Sequence, residues 1–126
     1  MWVTIYLNGN NMKIDSDKNE KYYNEIVENC HKDNEIFEMW QNLLNKAIEY
    51  TSIRAKWSLM STEEKVENDA YRTACHDSFI NSLKMYVRYL KLLGINLLAN
   101  ELIEQDRKTI GDFANYIVFR EAIKNR

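Results

Sequence analysis

A chain of 126 residues is the size of one domain. At that length roughly two-thirds of the unfolded surface can be buried, enough for a core that needs no metal or disulfide staple. The hydrophobic share of 45% and charged share of 29% exclude wholesale disorder. A formal net charge of −2 excludes a global positive field for nucleic acid and is too near neutral for a DNA mimic, so only a local basic patch is left open.

Proline is absent and glycine occurs three times, so each break in the pattern is informative. Trp2 to Leu7 alternate and are rich in β-formers, Asn8-Gly9-Asn10-Asn11 signals a turn, and Met12 to Ile14 can return as a second strand. An isolated hairpin is marginal in water, so residues 1–14 are expected to form an arm that docks, pairs with another chain or frays. The opening residues lack a cationic leader and are too short for a secretory segment. Nothing later approaches the ~18 apolar residues of a membrane span. Cys30 and Cys75 fall in unrelated helical segments without framework spacing and read as reduced thiols in a cytoplasm.

The first helix is expected from Asp17, with Glu20 completing a D-x-x-E capping box, to about Cys30. A second follows Asp33-Asn34 and runs to about Met60 on an apolar series that includes Ile36, Trp40, Leu43, Ala47, Tyr50 and Ile53. Ser61 and Glu64 open a long third helix over Thr62 to Leu93, closed by Gly94 at the left-handed C′ position. A short fourth helix is expected over about Leu97 to Gln105, and Thr109 with Asp112 suggests the cap of a last helix reaching Lys124. The fold class is therefore mainly α, an elongated bundle of four to five helices in a single domain over 1–126, with a short N-terminal β-hairpin. About 32 residues give a third helix of roughly 48 Å, against a domain diameter of about 35 Å at this chain length. An overhang carrying apolar residues would favour dimerisation, so homodimer and monomer stand as equal alternatives.

On that long helix Phe79, Leu83, Tyr86, Leu90 and Leu93 step by +4 and +3 along one face, and the same stripe continues back through His76, Arg72 and Asp69. Polar groups on a core-facing stripe are either hydrogen-bonded inside or form a site. We expect Arg72 or His76 to pair with Asp106 or Asp112, joining the third and last helices, and Arg107 to meet Asp69 or Asp77. Gly111 at a helix start costs about 1 kcal/mol against alanine, which is tolerable where another backbone or a large side chain approaches closely. Beyond it Phe113, Ala114, Tyr116, Ile117, Val118, Phe119, Ala122 and Ile123 surround most of the helix with apolar groups, the pattern of a core or interface element.

His31, His76-Asp77 and Asp106 or Asp112 follow the ligand order H…HD…D of HD-type metal phosphohydrolases, in which imidazoles and carboxylates hold a water-activating metal. The spacings are arbitrary, and Ser78-Phe79 stands where Gly-Lys usually follows that dyad. Neighbouring helical residues also diverge by about 100°. A hydrogen-bonded His76 and a solvated His31 are the simpler reading. Cys75 and His76 cannot face one another as helix neighbours, and Gly-rich phosphate loops, C-x-x-C pairs and G-x-S-x-G elbows are missing from the sequence. Neither catalysis nor a metal or cofactor is expected. Lys84, Arg88, Lys91, Arg107, Lys108, Arg120, Lys124 and Arg126 make the C-terminal half basic, and Tyr22, Tyr23, Trp40, Tyr50 and Trp57 offer stacking surfaces for nucleic acid unless they form the core.

Arg72, His76-Asp77, Ile80, Arg88-Tyr89, Asp106-Arg107 and Asp112-Phe113-Ala114 carry a resemblance in the C-terminal half to an uncharacterised family of small helical proteins from low-GC Gram-positive bacteria and their prophages. That resemblance implies a mobile-element setting and a unit built of the third and last helices, with no activity to transfer. The functional expectation is a non-enzymatic protein that binds a macromolecule, a host protein or ribonucleoprotein complex, with an inhibitor of a bacterial defence system such as a CRISPR effector as the concrete case. A nucleotide- or nucleic-acid-binding regulator is the alternative, and an HD-like phosphohydrolase the second alternative.

Overall fold

A computed structural model describes residues 2–7 and 10–124, with side chains from Asp17 onward. Strands β1 (Trp2–Leu7) and β2 (Asn10–Asp15) pair antiparallel, and the Asn8-Gly9 part of the expected turn lies outside the described residues. From Ser16 onward the architecture is helical: α1 (Ser16–Asn29), α2 (Asn34–Trp57), α3 (Thr62–Leu92), a 3-10 helix (Leu98–Glu104) and α4 (Arg107–Lys124). None of these helices is long and apolar enough to cross a membrane.

Local chemistry sets most of the boundaries. Asp33 caps α2 by accepting from the Ile36 amide at 2.8 Å. Ser61 and Glu64 form the reciprocal box that opens α3, at 3.2 and 3.1 Å. At the other end of α3, Gly94 takes φ 85°. The amides of Gly94 and Ile95 then donate back to the carbonyls of Lys91 and Leu90, which satisfies orphan groups that a helix end leaves over. Leu93, expected to extend the buried stripe, sits at this C-cap and is exposed; the stripe ends at Leu90.

Two connections differ from expectation. The segment after Gly94 winds as a 3-10 helix instead of an α-helix. Its N-cap, Leu97, has no side-chain acceptor, and the carboxylate of Glu25 in α1 caps it instead, accepting from Leu98 at 2.8 Å and Ala99 at 3.3 Å. For α4, Thr109 and Asp112 are not the cap. Asp106 is: its carboxylate accepts from the Thr109 amide at 2.8 Å, so the helix starts at Arg107. That bond holds the Asp106 carboxyl below its ordinary pKa.

α2 packs against both α3 and α4, and α1 closes over α4. The core is aromatic. Phe113 meets Tyr22 edge-on at 5.7 Å and Phe79 at 6.4 Å, and Phe79 leads on to Tyr50 at 6.2 Å. Tyr23 bridges Trp40 and Tyr116. Of the five aromatic residues that could be stacking surfaces or core, Tyr22, Tyr23, Trp40 and Tyr50 are core residues and Trp57 is half-buried. α3, about 46 Å long at 1.5 Å per residue, buries nothing before Cys75 and leaves Val66 and Tyr71 exposed near its start.

Tyr86 lies at the centre of this packing, fully buried, with its hydroxyl donating to the Ile26 carbonyl of α1 at 2.6 Å. Removing the hydroxyl strands that carbonyl, so Tyr86→Phe should cost about 1–3 kcal/mol in denaturant unfolding; an unchanged midpoint would remove the bond from the account. Burial also raises the pKa of the Tyr23, Tyr50 and Tyr86 hydroxyls, because the phenolate is disfavoured inside. The unfolded chain releases these protons near pH 10, so their stabilisation is complete below about pH 10 and declines above it. Stability measured from pH 9 to 11.5 should fall with pH, and less steeply in Tyr86→Phe.

Candidate functional site

On α2, Leu43, Ala47 and Tyr50 step by +4 and +3 along the buried face, and Arg54 follows four residues on. This guanidinium therefore points where the stripe points, at α4. It reaches Gly111, where the backbone is bare: a Cβ built there would stand 2.4 Å from Arg54 Cζ. The close approach inferred for Gly111 is thus a large side chain lying across it. Arg54 Nη2 pairs with Asp112 Oδ1 at 3.3 Å, and Lys108 Nζ holds the other oxygen at 3.1 Å.

Arg72 and Arg107 complete the surroundings. Arg72 stacks over the Trp57 ring, Cζ 3.8 Å from the centroid, with Asp69 at 3.9 Å on its outer side. Arg107 donates to Thr73 Oγ1 at 3.1 Å. Together Tyr50, Arg54, Arg72, Arg107 and Lys108 line a cleft of about 230 Å³ where α2, α3 and the first turn of α4 meet. Tyr50 is 4% exposed. Burial lifts its hydroxyl pKa, while the Arg54, Arg107 and Arg72 charges pull it down, so all three guanidinia act on the same hydroxyl. His76 stands behind it, edge-on to the Tyr50 ring at 5.6 Å.

Not every polar atom here is used. Arg54 Nη1, Arg72 Nε and His76 Nε2 are buried without a hydrogen-bond partner. Arginine nitrogens are obligate donors, and an unmet one in the interior is costly. Four cations line or edge the cleft, with Asp112, Asp69 and Asp106 as the carboxylates beside them, so positive charge remains in excess. Chemically the arrangement offers fixed donors and positive charge to an oxyanion.

The expected polar network forms with different partners. Arg72 and Arg107 reach the same cleft, but neither Arg72 nor His76 pairs with Asp106 or Asp112. Asp112 belongs to Arg54 and Lys108, Asp106 to the cap, and His76 Nδ1 lies 3.0 Å from Asp77 Oδ1 of its own helix. Arg107 meets Thr73 instead of Asp69 or Asp77, because Thr73 presents its hydroxyl toward the first turn of α4 while those carboxylates sit on exposed positions. His31 is exposed and stacked on Phe37 at 5.1 Å, and among the described residues no three His, Cys, Asp or Glu side chains come together to hold a metal. The phosphohydrolase ligand set is not assembled. Arg54 is absent from the sequence-based candidates, although it extends an apolar stripe in the same way as His76 and Arg72; Tyr50 and Lys108 stand among the aromatic and basic candidates but not in the expected network.

Against known proteins, the chain matches no family model, no curated protein and no solved structure.

Gly111→Ala supplies a direct test of the cleft wall. In the parent chain the added methyl displaces the Arg54 guanidinium and should lower stability. In an Arg54→Ala background the space is free and the same change should stabilise by up to about 1 kcal/mol through helix propensity. Equal signs in both backgrounds would show that Arg54 does not occupy the glycine.

Proposed function

We propose that the protein is a non-enzymatic binding protein that engages a macromolecular partner through this cleft, and that the group it holds is nucleic-acid phosphate, either in a free strand or in a ribonucleoprotein. The observation carrying this reading is the convergence of Arg54, Arg72, Arg107 and Lys108, from three helices, on one cleft with unfilled donors. The lining consists of cations and a phenol, chemistry that holds an oxyanion and does not take its proton. A net charge of −2 on the whole chain confines attraction to this place, which suits local recognition better than coating a long duplex. The mobile-element setting implied by the C-terminal resemblance makes a ribonucleoprotein of a host defence system the partner class to test first.

The test is binding of a labelled single-stranded RNA over a range of salt concentrations. Log affinity should fall by about 0.7 per neutralised phosphate for each decade of salt. Arg107→Glu combined with Lys108→Glu, both at exposed positions, should reduce affinity at least tenfold and flatten that slope. Failure to bind RNA, or equal affinity in the charge-reversed protein, would overturn the reading.

A further inference from the structure

We infer that the cleft is built for a single phosphomonoester, the terminal group of a nucleotide or strand, and not as a track for a run of phosphodiesters. This rests on the reading above that the cleft holds phosphate, and adds which kind.

Three features carry it. The first is shape. A groove that follows a backbone lays its cations along a line. Here they arrive from three directions: Arg54 from the end of α2, Arg72 from the first third of α3, and Arg107 and Lys108 from the start of α4. The space of about 230 Å³ is the liquid share of about eight waters, room for a tetrahedral oxyanion and the start of its ester substituent.

The second is fixation. Each guanidinium is held by a contact outside the cleft: Arg54 by Asp112, Arg72 by the Trp57 face and Arg107 by Thr73. None has to be ordered when a ligand arrives, which removes much of the entropic cost of binding. Arg54 Nη1 and Arg72 Nε remain buried and unmet, two donors on two different helices. The amide end of α4 is not the receptor, since Asp106 already occupies the Thr109 amide. The receptor is the set of side chains.

The third is charge. Four cations meet at one cleft. A phosphomonoester carries about −1.5 to −2 at pH 7, against one negative charge on a diester. A dianion engages more of these cations than a diester does.

The experiment compares one single-stranded RNA bearing a 5′-phosphate with the same RNA bearing a 5′-hydroxyl, alongside adenosine 5′-monophosphate and inorganic phosphate as competitors. The 5′-phosphorylated strand should bind at least tenfold more tightly, and adenosine 5′-monophosphate should displace it. Arg107→Gln and Arg54→Gln should each abolish the difference, Arg107 being exposed so that its variant keeps the fold if the other does not. Equal affinity for the two strands would overturn the monoester inference and leave the broader phosphate reading standing. Binding of the small monophosphates without either strand would support the monoester site, give free nucleotides as its source and overturn the macromolecular reading. No binding of any of the four would overturn both.

Discussion

Arg54 lies across the bare backbone of Gly111 and turns one nitrogen to Asp112 on the next residue of α4. This contact fixes how α2 sits on α4, and most of the molecule follows from it. Two residues along, Phe113 is fully buried between Tyr22 and Phe79. One turn back on α2, Tyr50 becomes the cleft floor. A side chain at 111 would push the guanidinium off the helix and take the cleft wall with it. The glycine therefore exchanges helix propensity, about 1 kcal/mol, for an approach that no other residue permits.

The cleft is joined to the core by a continuous series of rings. Tyr22, Phe113, Phe79, Tyr50 and His76 succeed one another at centroid distances of 5.6 to 6.4 Å. Edge-on and tilted aromatic contacts are directional as well as apolar, so the phenol under the cations rests on a stiff support. Against this, a buried donor without a partner costs about 1–3 kcal/mol, and Arg54 Nη1 and Arg72 Nε are two of them. A small domain with a total stability of about 5–15 kcal/mol retains such costs where function requires them. Under the proposed function, a bound oxyanion supplies the partners that these two donors lack.

Features that depend on neighbouring residues were legible in the sequence. The cap at Ser61 and the stop at Gly94 are local hydrogen-bond chemistry, and they stand where S-x-x-E and an isolated Gly placed them; at α2 the sequence left Asp33 and Asn34 open, and Asp33 is the cap. The close approach at Gly111 was legible too, since a glycine inside a helix needs a reason. Which side chain makes that approach was not, because Arg54 is remote in sequence and helix periodicity does not give the rotation of one helix against another. The same limit misassigned Asp112 to Arg72 or His76. Asp106 was mistaken for a partner when it is a cap, because D-x-x-T and T-x-x-D overlap within one short stretch and either can open a helix. The aromatic residues were left between surface and core for a related reason: tyrosine suits both, and only packing decides.

Glu25 gives its two oxygens to the first amides of the 3-10 helix, 73 and 74 positions further along the chain. That segment has no cap of its own, so its conformation is stored in α1. The passage from α3 to α4 is thus tied to α1 by the Glu25 carboxylate. Making that joint closes a long loop between α1 and the 3-10 helix, at a cost in chain entropy that grows only slowly with loop length. An amino-terminal truncation through α1 would loosen a joint that lies nowhere near it in sequence.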